Sequence, residues 1–401
     1  MRKLWNIVII LIIMLPLGNQ YYPFLDSFIN KYDVSILDVL FTVLLLIEVI
    51  RSFTKSLRIS MRNLGFYFLI LLAITSFLLI LYTSYNKAGL PAIRDGFNFF
   101  MCVEFIMFGL IASKNNVKLD KFINLVEIGY LGYTFVSIFS YIFFFGLGDR
   151  VSGSTFSLSI IVVPYEIYKY LKCIDYKKER FNYIVLSFVA NAIISQDRTV
   201  IGLTVIAVAI EILILFKNKI TKKMIMGVMN ITIFGIIGVG VLFATKASVI
   251  VRILTGGDID TLTGRMFTFS YYLEQMRLNP SGYGFGYVMH FFTAGNYMLP
   301  SETYQVDNAF VVYGVKGGFL FAIIYTVLAM MPIRILFNKT EEKIKIFLIS
   351  YFLLLISAYV MTSQIIQGRG TALFIWTIVS LIRKYKKPVY KVGERVVAYE
   401  D

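Results

Sequence analysis

The chain has 401 residues, of which 58% are hydrophobic and 16% charged, and its mean hydropathy is +0.74. That usage excludes an ordinary soluble domain, in which about a quarter of the residues are charged. The formal net charge of +15 would suggest a nucleic-acid partner in a soluble chain, but here the positions of the basic residues give a different account.

Apolar runs able to cross a hydrocarbon layer recur at approximately 4–22, 34–50, 64–83, 96–113, 122–146, 156–171, 182–197, 199–216, 224–244, 308–333, 346–366 and 371–382. Helices satisfy their own backbone groups in lipid, so the pattern predicts an all-α polytopic membrane protein of about twelve transmembrane helices. Residues 1–401 are expected to form a single transmembrane domain. The first run follows Arg2 and Lys3 and lacks a small-residue cleavage site before Tyr21, so it reads as a retained span rather than a removed leader.

Lys and Arg concentrate in alternate connections: Arg2 and Lys3, Arg51 to Arg62, Lys114 to Lys121, Lys169 to Arg180, KNKITKK at 217–223, Arg334 to Lys345, and the basic tail 383–401. Cytoplasmic loops carry such an excess, which places these segments and both termini in the cytoplasm. The charge then encodes topology, and no nucleic-acid partner is expected. Cys102 and Cys173 fall in a span and at a cytoplasmic boundary, suited neither to a disulfide nor to a metal. Glu104, Glu127, Glu166 and Glu211 lie within spans and raise the idea of a proton or ion path, although the sequence shows no partner for any of them.

The outward connections are short, at about 23–33, 84–95, 147–155, 196–198 and 367–370, except for residues 245–307. That long extracytoplasmic loop has no cysteine to staple it, so it is expected to pack as a lid on the bundle. Within it, Thr261 or Thr263 is placed to cap a helix from about Gly264 to Leu278, ended by Asn279-Pro280. Met266, Phe269, Leu273 and Met276 form an apolar stripe on it, as an interfacial helix requires. Arg265 falls in its first turn, where the helix dipole disfavours a cation, which points to an anionic partner beyond the helix. Glu274 and Arg277 are spaced to pair at i,i+3.

Four outward arginines carry the chemistry: Arg150 in GLGDRVSGSTF, Arg198 in ISQDRTVIG, Arg265 in TGRMF and Arg369 in QGRGTALF. Each could snorkel to headgroup phosphates. Together they could also hold a diphosphate, because a guanidinium is always charged and presents a planar fork of donors. Asp307, at the outer end of a span beside Asn308, is the first candidate for a general base, with helix capping as its alternative role. His290 in YVMHFF is the second candidate base, with simple packing as its alternative, and Glu302 and Glu274 follow. The run GYGFGYV holds Gly282, Gly284 and Gly286 in alternation with Tyr283, Phe285 and Tyr287. It fits an extended, tightly turning stretch, whose rings would face sugars or lipid, or pack on the helices.

In the order and sidedness of these parts, the chain resembles the Wzy-type polysaccharide polymerases of the O-antigen polymerase and ligase superfamily. The matching residues are Arg150 with Gly153, Arg198, Arg265, Gly282 with Gly284 and Gly286, and Asp307 with Asn308. The ligases carry a His before that Asn, where this chain has Asp307, and the first Arg–Gly spacing is shorter than the polymerase pattern. The resemblance implies a GT-C-like fold in the bacterial cytoplasmic membrane. It implies transfer of a glycan from undecaprenyl diphosphate to the next lipid-linked repeat unit at the outer face, without metal or nucleotide. The growing polysaccharide, membrane lipid and a chain-length regulator are the partners it implies. Under it, Arg198 and Arg265 bind the donor diphosphate and act in catalysis with Asp307 or His290. Arg150, Arg369, Tyr283, Tyr287 and Asn308 contact substrate. A ligase of the same fold and a lipid-linked oligosaccharide flippase are the alternatives.

Overall fold

The computed structural model describes residues 2–15, 36–54, 64–144, 154–172, 178–195, 197–216, 259–291, 301–303, 308–337, 341–361 and 369–382. They are almost entirely helical: α1 Arg2–Met14, α2 Ile36–Thr54, α3 Leu64–Ala88, α4 Leu90–Lys114, α5 Leu119–Phe144, α6 Ser159–Lys172, α7 Lys178–Ser195 and α8 Arg198–Phe216. These are followed by α9 Ile259–Leu278, α10 Ala309–Gly317, α11 Phe319–Met330, α12 Glu342–Ile356 and α13 Arg369–Leu381. The departure from an all-helical chain is a short antiparallel pair, β1 Met289–Phe291 with β2 Ser301–Thr303. Among the described residues, four helices are long and apolar enough to cross a membrane: Tyr67–Ala88, Leu90–Lys114, Leu119–Phe143 and Phe319–Leu336. This is a membrane-embedded helical protein. The expected span at 224–244 and the tail 383–401 lie outside the described residues.

Small residues let these helices approach closely, the usual device where lipid gives no hydrophobic drive between them. Gly109 on α4 faces the Thr377 carbonyl of α13, leaving no room for a Cβ, while Ser380 Oγ donates to the Ile106 carbonyl at 2.8 Å. Gly129 and Gly132 on α5 do the same for Ile13 and Met14 of α1. Around these contacts the core is aromatic, with Tyr313, Phe321, Tyr325 and Trp376 in edge and tilted ring contacts.

Two expected boundaries are corrected. Residues 84–95 are not a loop: α3 and α4 continue through them and are separated by Gly89 alone. Gly89 takes φ 65°, its amide closes the last turn of α3 on the Tyr85 carbonyl at 2.9 Å, and Pro91 is the second residue of α4. A positive-φ glycine ends one helix and a proline sits in the first turn of the next, so a single glycine makes the turn. The expected continuous span at 308–333 is instead broken at Gly317–Gly318, with Gly318 at φ 87°.

The loop helix also starts earlier than expected. α9 begins at Ile259, so Thr261 and Thr263 lie inside it rather than capping it. Arg265 then falls in the second turn, beyond the reach of the terminal dipole, which removes the expected electrostatic misfit. The expected stripe is met at Met276 and offset at Phe269 and Leu273. Thr268, Tyr272 and Met276 are the buried positions, four residues apart, whereas Phe269 and Leu273 are exposed. Met276 seats against Gly314 of α10, where any side chain would collide with it.

Candidate functional site

Polar groups gather at two opposite ends of the bundle. At one end the N-termini of α2, α4 and α13 converge. Arg369, the first residue of α13, is buried; its Nε donates to Asp38 Oδ2 on α2 at 3.1 Å and its Nη1 to Asn98 Oδ1 on α4 at 2.6 Å. The guanidinium also lies 5.8 Å from the Phe97 ring. One helical turn or so deeper, Thr42 Oγ1 donates to Glu104 Oε2 at 3.1 Å. Next along α13, Thr371 meets Ser157 at 3.2 Å, and Ser159 of α6 meets Thr204 of α8 at 3.0 Å. Two hydroxyl pairs thus lie near the starts of α13, α6 and α8.

Arg198 is the first residue of α8, at this same end. Asp197 caps that helix, its Oδ1 accepting the Val200 amide at 3.2 Å.

The loop helix docks here too, through the glycine run. Gly282, Gly284 and Gly286 have φ of 80°, 96° and 82°, a region open to glycine and strained for other residues. A Cβ would lie 2.5 Å from the Gly318 nitrogen at Gly282, 2.6 Å from Ser84 Oγ at Gly284, and 3.0 Å from the Ala92 nitrogen at Gly286. The backbone approach that these glycines permit is to the protein's own helices. Tyr283 N–H donates to the Val315 carbonyl at 2.7 Å and Gly284 N–H to the Lys316 carbonyl at 3.0 Å. Phe285 N–H donates to Ser84 Oγ at 2.8 Å and Gly286 N–H to Asp95 Oδ2 at 2.9 Å. Phe285 is buried between Phe99, at 5.0 Å and stacked, and Phe77, at 5.6 Å.

Tyr283 and Tyr287 remain half-buried and stack on each other at 4.6 Å, with Tyr283 Oη donating to Gln275 Oε1 at 2.6 Å. His290 sits in β1 opposite Glu302 of β2, so the register sets two base candidates across from each other in the strand pair. The His290 backbone N–H donates to Tyr272 Oη, and its side-chain Nδ1 is buried with no hydrogen-bond partner among the described residues. Burial pushes the Tyr272 hydroxyl up to about 12, so it stays protonated at neutral pH. Glu274 and Arg277 form the expected pair on the exposed side of α9, at 2.6 and 2.9 Å, and this hydrogen bonding holds the Glu274 carboxyl below its ordinary value.

Asn308 serves the protein internally. Its Oδ1 caps α10 by accepting the Val311 amide at 3.0 Å, and its Nδ2 donates to the Tyr359 carbonyl in the last turn after α12. The N-cap of α10 is therefore Asn308. Arg150 and Asp307 lie outside the described residues, and Arg198 and Arg265 are placed by their backbones.

At the far end, where α4 turns into α5, two carboxylates that the sequence left unpartnered share two cations. Lys169 Nζ lies 3.0 Å from Glu127 Oε1 and 2.5 Å from Glu166 Oε1, and Arg180 pairs with Glu127 and stands 3.7 Å from Glu166. Around them Lys343 pairs with Asp120 at 2.5 Å and Lys172 with Glu342 at 3.0 Å. Glu211 differs: it is buried on α8, and neither oxygen has a hydrogen-bond partner among the described residues.

Asp38, Asp95, Asn98 and Lys316 were not singled out from the sequence. The available signal was a charge inside an apolar run, as in ILDVLFTVLLL and AFVVYGVKGGFL.

No family model matches the chain, and no curated protein or solved structure matches it.

Proposed function

We propose that the chain is a Wzy-type polysaccharide polymerase: twelve spans in a GT-C-like arrangement in the bacterial cytoplasmic membrane, both termini cytoplasmic, acting at the outer face. It takes a glycan from undecaprenyl diphosphate and joins it to the next lipid-linked repeat unit. The observation that carries this reading is the order of arginine motifs along the outward connections. The loop that bears Arg265 is clasped at the bundle end where α8, with Arg198, and α13, with Arg369, begin.

In this reaction the acceptor hydroxyl oxygen bonds to the anomeric carbon of the donor. The carbon–oxygen bond to the diphosphate breaks and its electron pair leaves with the lipid diphosphate. Arg198 and Arg265 offset the charge on that leaving group, as fixed cations do in a site poor in water. The hydroxyl proton passes to Asp307 or His290. Arg150 guides the second lipid-linked sugar, and Tyr283 and Tyr287 offer ring faces to sugar. A chain-length regulator is a further partner.

Purified lipid-linked repeat unit given to the reconstituted protein separates the readings. A polymerase makes a ladder of lengths from that substrate alone, a ligase transfers glycan only when a foreign acceptor is added, and a flippase moves the lipid without lengthening it. The absence of any ladder under conditions where the protein is correctly inserted overturns the proposal.

A further inference from the structure

The segment between α9 and β1 passes through a broken helix. A break such as that between α10 and α11 strips partners from the last carbonyls of one helix and the first amides of the next. Here the segment restores them, because Val315 and Lys316 carbonyls accept the Tyr283 and Gly284 amides, and Phe319 N–H donates to the Pro280 carbonyl at 2.9 Å. On its other side the segment is held by Ser84 and Asp95 at the α3–α4 turn. Lys316 closes the arrangement: fully buried at the end of α10, its Nζ lies 2.5 Å from both oxygens of Asp95. Asp95 thus serves a cation from α10 and a backbone amide from the loop at once.

We propose that the Asp95–Lys316 pair is the latch that seats residues 279–286 in the α10–α11 break, and that Asp95 and Lys316 are positioning residues for the elements on either side of that segment. α9, with Arg265, runs directly into the segment, and β1, with His290, follows directly from it. The consequence for glycan transfer rests on the polymerase reading; the seating does not. From α4, Asp95 receives both Lys316 and the Gly286 amide. A lone buried charge is costly, while a pair neutralised on both sides is tolerated. Loss of one partner therefore unseats the segment, and loss of both charges together restores it.

The test uses the full-length protein in nanodiscs and reads amide hydrogen exchange at Tyr283 to Gly286 beside the product ladder. In the unaltered protein these four amides exchange slowly. Lys316→Met is expected to speed them at least ~10-fold and to shorten or abolish the ladder. The double variant Asp95→Asn with Lys316→Met, which keeps an acceptor for Gly286, is expected to return exchange to within ~3-fold of the unaltered protein and to recover the ladder. Unchanged exchange in Lys316→Met overturns the latch, as does a double variant that exchanges as fast as the single one. A normal ladder from an unseated Lys316→Met protein overturns the positioning role. Exchange that follows the prediction in a protein that makes no ladder supports the latch and sinks the polymerase reading alone.

Discussion

Arg369 and Asp38 join the first residue of α13 to the first turn of α2, Nε to Oδ2 at 3.1 Å, across 331 positions of sequence and with both side chains buried. Withdrawing a guanidinium from water is offset only by good geometry and further hydrogen bonds, here supplied by Asp38 and Asn98. Asp38→Ala is therefore expected to destabilise the protein by about 3–5 kcal/mol, because a buried cation loses its counter-charge. Thermal unfolding in detergent measures this. Asp38→Asn combined with Arg369→Met should lose clearly less than Asp38→Ala.

The glycine run makes a second, local prediction. Gly284→Ala places a Cβ 2.6 Å from Ser84 Oγ at a residue with φ 96°. The backbone strain alone is about 1–2 kcal/mol, and displacement of Ser84 also breaks its bond to the Phe285 amide. Gly202→Ala on α8 meets nothing within 4 Å and is the control, expected to leave the unfolding temperature unchanged or slightly raised.

At the far end, burial ranks two lysines of the same helix. Lys169→Met leaves Glu127 and Glu166 sharing Arg180, and a loss of about 3–5 kcal/mol is expected. Lys172→Ala removes a partly exposed pair with Glu342, expected to matter by no more than about 1 kcal/mol. Equal losses in the two variants, read by thermal unfolding, would count against the ranking by burial.

The helical, membrane-embedded architecture was legible because apolar runs long enough to cross a hydrocarbon layer register directly in hydropathy. Boundaries set by single glycines were not. Gly89 turns a helix pair without any polar loop, and Gly318 breaks a run whose hydropathy is uninterrupted, so in both cases a backbone angle decides what hydropathy does not register. The loop helix was located but its docked face was misread by about a quarter-turn. Apolarity marks Phe269, Leu273 and Met276, whereas the bundle receives Thr268, Tyr272 and Met276, the last fitted to Gly314. The Glu274–Arg277 pair followed from helix spacing. The Asp38–Arg369, Asp95–Lys316 and Glu127–Lys169 pairs join distant segments, which no local spacing reveals. The roles proposed for Arg198 and Arg265 rest on the chemistry of the guanidinium and on the order of their motifs in the sequence.

The central claim is that outward arginines serve transfer from a lipid diphosphate. Its most direct measurement is the length distribution of product, resolved by electrophoresis, from purified lipid-linked repeat unit and reconstituted protein carrying Arg265→Ala or Arg198→Ala. The account predicts a ladder from the unaltered protein and its loss, by a factor of ~10² or more, from each variant while insertion and unfolding temperature are preserved. Ladders of normal length and yield from both variants would contradict it.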